Sequence, residues 1–144
     1  MRLALAEARR ALEADEVPIG AIVVSEGRVV GAGFNQPIRA TDPTAHAEVL
    51  ALREAAHSVG NYRLTGSALY VTIEPCLMCV GAAVNARVAR IVYGAAEPKA
   101  GAVRSLLVAD ELPLNHRFEA IGGVLETDCR RLIQDFFKYR RGSR

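Results

Sequence analysis

The chain has 144 residues, the size of one ordinary domain, and it is long enough to bury a core. Apolar residues make up 51% and charged residues 24%, which excludes a disordered chain, and no apolar run approaches the ~18 residues of a membrane helix. The net charge is +2, and three cysteines are too few for a disulfide scaffold and favour a reducing compartment. We therefore expect one domain over residues 1–144, cytoplasmic and without a membrane partner.

Positive charge is concentrated at the C-terminal end. From Cys129 onward, six basic residues stand against a single acid, Asp135. The six are Arg130, Arg131, Lys138, Arg140, Arg141 and Arg144. A solvated terminal helix explains this pattern, and so does a nucleic-acid partner, since a basic end is compatible with RNA or DNA without requiring either.

The first half of the chain predicts a helix, a hairpin and a second helix. Apolar residues recur at helical spacing in RLALAEARRALEAD. The β-branched runs PIGAIVV and RVVGAGF, separated by residues 25–27, predict a β-hairpin. Asp42 and Pro43 predict a helix start, because proline suits the first helical turn, and AHAEVLALREAAHSVG continues that helix. Its expected core face is Ala45, Val49, Leu52 and Ala56.

The second half predicts two strands and two helices. SALYVTI and RIVYG are strands, and Pro75 between them opens a helix that carries Cys76 and Cys79. Residues 97–116 are expected to be mostly loop, with a short helix around 105–107. A final helix from about residue 126 has a core stripe of Cys129, Leu132, Ile133, Phe136 and Phe137. We expect Cys129 to be a buried structural thiol and one of the two phenylalanines to belong to the core.

Strands joined through helices run partly parallel to one another, because a parallel pair needs a long crossover connection. We therefore predict an α/β fold with three layers, α/β/α, around a central mixed sheet of about five strands. Helices cover both faces of this sheet.

Cys76 and Cys79 have three possible explanations: a redox pair, half of a metal site, or ordinary buried thiols. At positions i and i+3 they share one helix face, and a helix N-terminus favours thiolates. His46 lies close to the start of its own predicted helix. If the two helix starts meet, His46, Cys76 and Cys79 supply three ligands and leave a fourth position open, which is typical of a catalytic zinc ion.

Glu48 is the acid that this chemistry requires. A zinc-activated water needs a neighbouring base that accepts and redelivers its proton. Glu48 lies two positions after His46, about 200° around an ideal helix, so the two residues can share a site only at the helix end. The combination HxE followed by PCxxC is the signature of zinc-dependent base deaminases.

Longer stretches resemble the bacterial tRNA adenosine deaminases of the cytidine deaminase-like superfamily, over nearly the whole chain. DPTAHAE is shared with guanine deaminases, whereas NYRL, LYVTIEPCLMCVGAAV, PKAGAVRS, NHR and FFKYRR resemble the tRNA-acting branch. The resemblance implies hydrolytic deamination of adenosine to inosine at the wobble position of a tRNA anticodon. It also implies a cytidine deaminase-like fold, a homodimer and a tRNA anticodon stem-loop as partner.

The same resemblance implies roles for individual residues. One Zn²⁺ per subunit would be held by His46, Cys76 and Cys79, and Glu48 would shuttle protons between the attacking water, the purine N1 and the departing ammonia. It also implies that Asn35 and the backbone at Ala47 contact the purine. The residue types themselves add Phe137 as a stacking face and Lys99, Asn115 and His116 as contacts to the RNA backbone. Glu97 stands where the family usually has Asp, and Arg104 stands where it usually has Gly.

Three other functions remain open at the level of sequence. A deaminase of a free base or nucleoside (guanine, or cytosine or cytidine) would share the zinc site without needing the basic tail. A non-catalytic, zinc-stabilised RNA-binding module would not need Glu48. A dithiol redox protein would bind no metal.

Overall fold

Five strands form one mixed sheet in the computed structural model, which describes residues 1–143. They are β1 (Gly20–Ser25), β2 (Arg28–Phe34), β3 (Ala68–Ile73), β4 (Arg90–Ala95) and β5 (Glu119–Ile121). Their order across the sheet is β2-β1-β3-β4-β5, with β1 antiparallel to both neighbours and β3, β4 and β5 parallel. The predicted mixed sheet of about five strands is confirmed. Arg144, the last residue of the basic tail, lies outside the described residues.

Helices cover both faces of the sheet. They are α1 (Arg2–Glu13), α2 (Pro37–Ala40), α3 (Ala47–Val59), α4 (Leu77–Asn85) and α5 (Glu126–Gly142). Helices α3 and α4 share one hydrophobic core with the sheet, and α1 and α5 close a smaller core on the other face. The predicted three-layer α/β/α architecture is confirmed. Within residues 1–143, no helix combines the length and hydropathy that crossing a membrane requires.

Helix α3 packs unusually close to β2 because small residues face each other across the interface. A Cβ placed on Gly33 would lie 2.6 Å from the Ala47 carbonyl oxygen, so only glycine fits beneath the start of this helix. The buried alanines of α3 are Ala47, Ala51 and Ala55. The expected core face was therefore only partly right: Leu52 is buried, but Val49 and Ala56 are only half-buried.

The start of α3 at Pro43 was predicted wrongly, since the helix begins at Ala47. Asp42 Oδ1 accepts hydrogen bonds from the Thr44 backbone N–H and hydroxyl, each at 2.8 Å, which holds Pro43 in a turn instead. Thr41 just before it has left-handed backbone (φ 49°), where a helix cannot continue. The short helix α2 that this turn follows was missed.

The start of α4 also differs from the prediction, because the helix begins at Leu77 and not at Pro75. The Pro75 carbonyl accepts a hydrogen bond from the Ala102 N–H, not from a helical N–H. The predicted short helix at 105–107 is wrong, since a 3₁₀ turn forms at Ala109–Glu111. Residues 106 and 107 both donate their N–H groups to the Gly101 carbonyl in a tight turn. Strand β5, three residues at the sheet edge, was missed.

Helix α5 confirms the predicted core stripe only in part, because Leu132 and Ile133 are half-buried and Phe137 is exposed. Cys129 is buried, as expected of a structural thiol, and packs against Gly94 of β4. Phe136 is 8% exposed and Phe137 is 43% exposed. One phenylalanine therefore belongs to the core and the other presents its ring to solvent.

Candidate active site

Two helix N-termini meet at the predicted metal ligands. His46 is the N-cap residue of α3 and Cys76 is the N-cap residue of α4, and both have extended backbone. Cys79 lies one turn into α4. One His46 ring nitrogen and the two sulfur atoms offer three donors that lie within 4.8 Å of one another. The expectation that the two helix starts meet at one point is confirmed.

The spacing of the three donors fits a tetrahedral zinc ion. His46 Nδ1 lies 3.6 Å from Cys76 Sγ and 3.5 Å from Cys79 Sγ. Zinc–nitrogen bonds of about 2.05 Å and zinc–sulfur bonds of about 2.3 Å, at the tetrahedral angle, give a nitrogen–sulfur distance of about 3.6 Å. Within residues 1–143, no fourth histidine, cysteine or acid joins this group. Three ligands with a free fourth position are the arrangement of a catalytic site.

The two thiols share their protons unequally. Hydrogen bonds from the Cys79 thiol and from His46 lower the pKa of Cys76 to about 4. The same contact with Cys76, together with burial, raises the pKa of Cys79. A divalent cation bound to both sulfurs therefore displaces a proton from the pair.

Glu48 occupies the position that the helical spacing alone left uncertain. Because His46 stands outside the helix with extended backbone, its ring turns to the same side as Glu48, the second residue of α3. The carboxyl is 4% exposed. Burial raises its pKa, which brings a carboxyl closer to the range in which it both accepts and delivers a proton near neutral pH.

A cavity of about 240 Å³ brings these groups together. His46, Glu48 and Cys76 line it, and Asn35 lines it from the end of β2. The Asn35 backbone N–H donates to the Ile19 carbonyl at 2.9 Å, and its side-chain amide donates to the Val17 carbonyl at 3.4 Å. Ala47, between His46 and Glu48 in the chain, is fully buried against Gly33.

A larger cleft, about 950 Å³, adjoins this cavity. It runs between residues 97–99 and α5, and its wall includes Lys99, Phe137, Lys138 and Arg141. Glu97 lines both the cleft and the small cavity. The structure thus brings Lys99 and Phe137 to one surface that adjoins the cavity lined by His46 and Cys76.

Asn115 and His116 lie elsewhere. Asn115 Oδ1 accepts a hydrogen bond from Arg87 at 3.3 Å, and His116 Nε2 donates to the Val88 carbonyl at 2.7 Å. Residues 87 and 88 precede β4, whereas the opposite end of β4, at Ala95, pairs with Ile73 just before the ligands. Within this chain, neither residue is brought together with the cluster.

Glu74 is a residue of this site that the sequence analysis missed. It is buried and lines the small cavity. Burial would raise its pKa, but hydrogen bonds from Arg104, Ser105, Glu97 and Val103 hold that pKa below its usual value. The only signal in the sequence is a glutamate between an apolar strand and a proline.

Comparison with known proteins places the chain among deaminases. Residues 1–141 match the MafB19-like deaminase family. The tRNA-specific adenosine deaminase of Haemophilus influenzae is 45% identical, covering 98% of this chain and 83% of that one. The tRNA-specific adenosine deaminase of Agrobacterium fabrum is 44% identical, covering 98% and 93%. A solved structure from a study of A-to-I editing by tRNA:A34 deaminases superposes with a TM-score of 0.89 at 44% identity, covering 92% and 96%.

The three-layer fold with one histidine and two cysteines at two helix starts therefore defines a deaminase with the cytidine deaminase-like fold. At this level of identity and coverage, the chain belongs to the family of tRNA-specific adenosine deaminases.

Proposed function

We propose that the chain deaminates adenosine hydrolytically to inosine at the wobble position of a tRNA anticodon. It would act in the cytoplasm and use one zinc ion per subunit. The observation that carries the proposal is the cluster of three zinc-type donors, two of which line a small cavity together with the buried Glu48. Two relatives that match nearly the whole chain are named for this activity.

His46, Cys76 and Cys79 would hold the zinc ion, because their donor atoms already have tetrahedral spacing. When bound, zinc supplies Lewis acidity that makes water a nucleophile near neutral pH. The helix N-termini of α3 and α4 favour the thiolates that bind it.

Glu48 carries the protons of the reaction. Its carboxylate takes a proton from the attacking water and hands it to the purine N1 as the oxygen adds to C6. It then transfers the second proton to the exocyclic nitrogen, so that the C6–N bond breaks and ammonia leaves. Because Glu48 is buried, few bulk water molecules compete for these protons.

Asn35 and Ala47 orient the base. The Asn35 amide faces the cavity from the wall beside Glu48 and can hydrogen-bond the purine ring. The Ala47 backbone lies between the ligand His46 and the base Glu48, so it fixes their separation. At about 240 Å³, the cavity is smaller than the usual drug-sized pocket and suits a single base turned out of its stack.

The adjoining cleft would receive the RNA around that base. Phe137 offers an exposed ring for stacking, and Lys99, Lys138 and Arg141 offer phosphate contacts. Glu97 marks the passage from cleft to cavity because it lines both.

Asn115 and His116 would contact RNA only away from the reacting base, since they lie at the other end of β4. We also propose that the chain forms a homodimer. Its support is an open face on α4, where Leu77 and Met78 are exposed and a Cβ on Gly81 would meet nothing.

Ammonia release from several substrates tests the proposal. Zinc-loaded protein would be incubated with a hairpin carrying an ACG anticodon loop and, in parallel, with adenosine, guanine and cytidine. We expect ammonia from the hairpin alone, because Phe137 and the three basic residues of the cleft would add stacking and phosphate contacts that a free base does not make. Ammonia from guanine or cytidine, with an intact hairpin, would keep the zinc chemistry and contradict the RNA substrate.

A further inference from the structure

Glu74 is a buried carboxylate that the proposed reaction does not use. It is 3% exposed, lies between β3 and Pro75, and is outside the group of metal ligands. An acid this deeply buried requires partners, because an unpaired charge in a protein interior is strongly destabilising.

All of its partners come from one segment, residues 97–105, called here the 97–105 loop. Oε1 accepts the Glu97 N–H at 3.1 Å and the Ser105 hydroxyl at 2.5 Å. Oε2 accepts the Val103 N–H at 3.1 Å and the Arg104 N–H at 2.8 Å. Four donors saturate an ionised carboxylate, which has about four acceptor sites.

Gly101 shows how tightly the loop folds over this carboxylate. A Cβ at this position would lie 2.5 Å from Glu74 Oε2 and 2.5 Å from the Glu97 carbonyl oxygen. Its φ is not in the left-handed region, so the glycine is needed for space and not for backbone freedom. No helix or named strand orders residues 96–106, so hydrogen bonds do that work. Those to Glu74 act together with backbone bonds from Gly101 to the Glu97 carbonyl and from Ala102 to the Pro75 carbonyl.

The loop ordered in this way forms walls of both cavities. Glu97 and Ala100 line the small cavity, and Glu97, Pro98 and Lys99 line the cleft. We infer that Glu74 is a positioning residue: its carboxylate holds the 97–105 loop so that Glu97 and Lys99 are already placed where RNA passes from the cleft to the cavity. The inference rests on the proposed function for its effect on RNA, but not for its effect on the loop.

A change of Glu74 to glutamine keeps the shape of the side chain but places an NH₂ donor opposite groups that are themselves hydrogen-bond donors. If the new NH₂ faces the Oε1 side, it meets the Glu97 N–H, although the Ser105 hydroxyl can reverse and accept. If it faces the other side, it meets the N–H groups of both Val103 and Arg104. The first orientation is the better one, so the Glu97 amide loses its partner.

Amide hydrogen exchange and steady-state kinetics on the full-length, zinc-loaded Glu74→Gln protein test this inference. We expect exchange at residue 97 to be about tenfold faster, as the loss of one hydrogen bond implies. The KM for the ACG hairpin should rise about tenfold with kcat within about threefold, because RNA must then order the loop on binding. Zinc content should stay at one per chain.

Two further variants complete the design. Glu119→Gln makes the same chemical change at an exposed carboxylate of β5, paired with Arg90, and should change none of these quantities. Gly101→Ala leaves the carboxylate intact but pushes a methyl group onto it, and should reproduce the rise in KM. If the Glu74→Gln protein does not fold, the KM of the Gly101→Ala protein tests the inference in its place.

Unchanged exchange in the loop would overturn the inference, and so would a fall in kcat with KM unaltered. Faster exchange together with a raised KM supports it. If the wild-type chain does not deaminate the hairpin at all, the proposed function fails by itself, and the exchange rates still decide whether Glu74 orders the loop.

Discussion

At the scale of single residues, the site depends on His46 standing just outside α3. The extended backbone there turns the imidazole to the same side as Glu48. On an ideal helix, side chains two positions apart would face nearly opposite ways. Ligand and base can therefore act on the same small cavity, which is the arrangement that proton transfer beside a zinc ion requires.

Replacing Glu48 with glutamine should lower kcat for the ACG hairpin by about 10²–10⁴-fold, because the amide cannot accept the proton of the attacking water. The KM and the zinc content should stay near those of the wild type. Glu54→Gln, an exposed site on the same helix, is the matched control and should leave kcat unchanged. Rapid-quench measurement of inosine provides kcat, and activity retained in Glu48→Gln would contradict the role of this residue.

The grouping of His46, Cys76 and Cys79 was predictable from sequence, whereas the contacts of Glu74 were not. His46, Glu48, Cys76 and Cys79 form a spaced motif whose chemistry restricts the possible functions. The partners of Glu74 come from a loop 23 to 31 residues further along, and most of them are backbone N–H groups. Backbone donors leave no pattern of residue types, so no sequence signal identifies that contact.

At the scale of elements, helix and strand identities were predictable but several starts were not. Apolar periodicity predicted α1, α3 and α5 and the hairpin of β1 and β2. Proline was expected to mark the starts of α3 and α4, but a side-chain turn at Asp42 and the hydrogen bond from Ala102 to Pro75 displaced both. Such competing hydrogen bonds depend on tertiary or turn geometry that periodicity does not contain.

Helix α5 offers a matched pair of aromatic residues. Phe136→Ala should lower the free energy of unfolding by about 3 kcal/mol, since it removes a buried ring. Phe137→Ala should change it by only about 0.5 kcal/mol but raise the KM for the hairpin about tenfold through lost stacking. Urea unfolding and steady-state kinetics measure both quantities. A similar stability loss in the two variants would contradict this division of α5 into a core face and an RNA face.

At the scale of the whole molecule, a nearly neutral chain carries an excess of positive charge at its C-terminal end. The net charge is only +2, yet Lys138 and Arg141 from the tail and Lys99 from the 97–105 loop line one cleft. The cleft adjoins the small cavity at Glu97, so one continuous surface leads from these basic side chains to Glu48. The sequence left the basic tail open between a solvated helix and a nucleic-acid contact, and only the fold shows that the tail meets the 97–105 loop.

Salt should therefore weaken RNA binding. With about three phosphate contacts to a single-stranded loop, the KM for the hairpin should rise about tenfold or more between 50 and 200 mM salt. Lys138→Ala should reduce the logarithmic salt slope by about 0.7. Arg130→Ala, which removes an exposed charge of α5 that pairs with Glu126 outside the cleft, should leave the slope unchanged. A KM independent of salt in the wild type would contradict the cleft as the RNA surface.

The most direct test of the account is to locate the inosine. Zinc-loaded protein would be incubated with a full-length tRNA carrying an ACG anticodon, and nuclease fragments would be read by mass spectrometry. We expect a change of adenosine to inosine at the first anticodon position alone, with none in the Glu48→Gln protein. An unmodified anticodon in the presence of wild-type protein, or inosine spread over many adenosines, would contradict it.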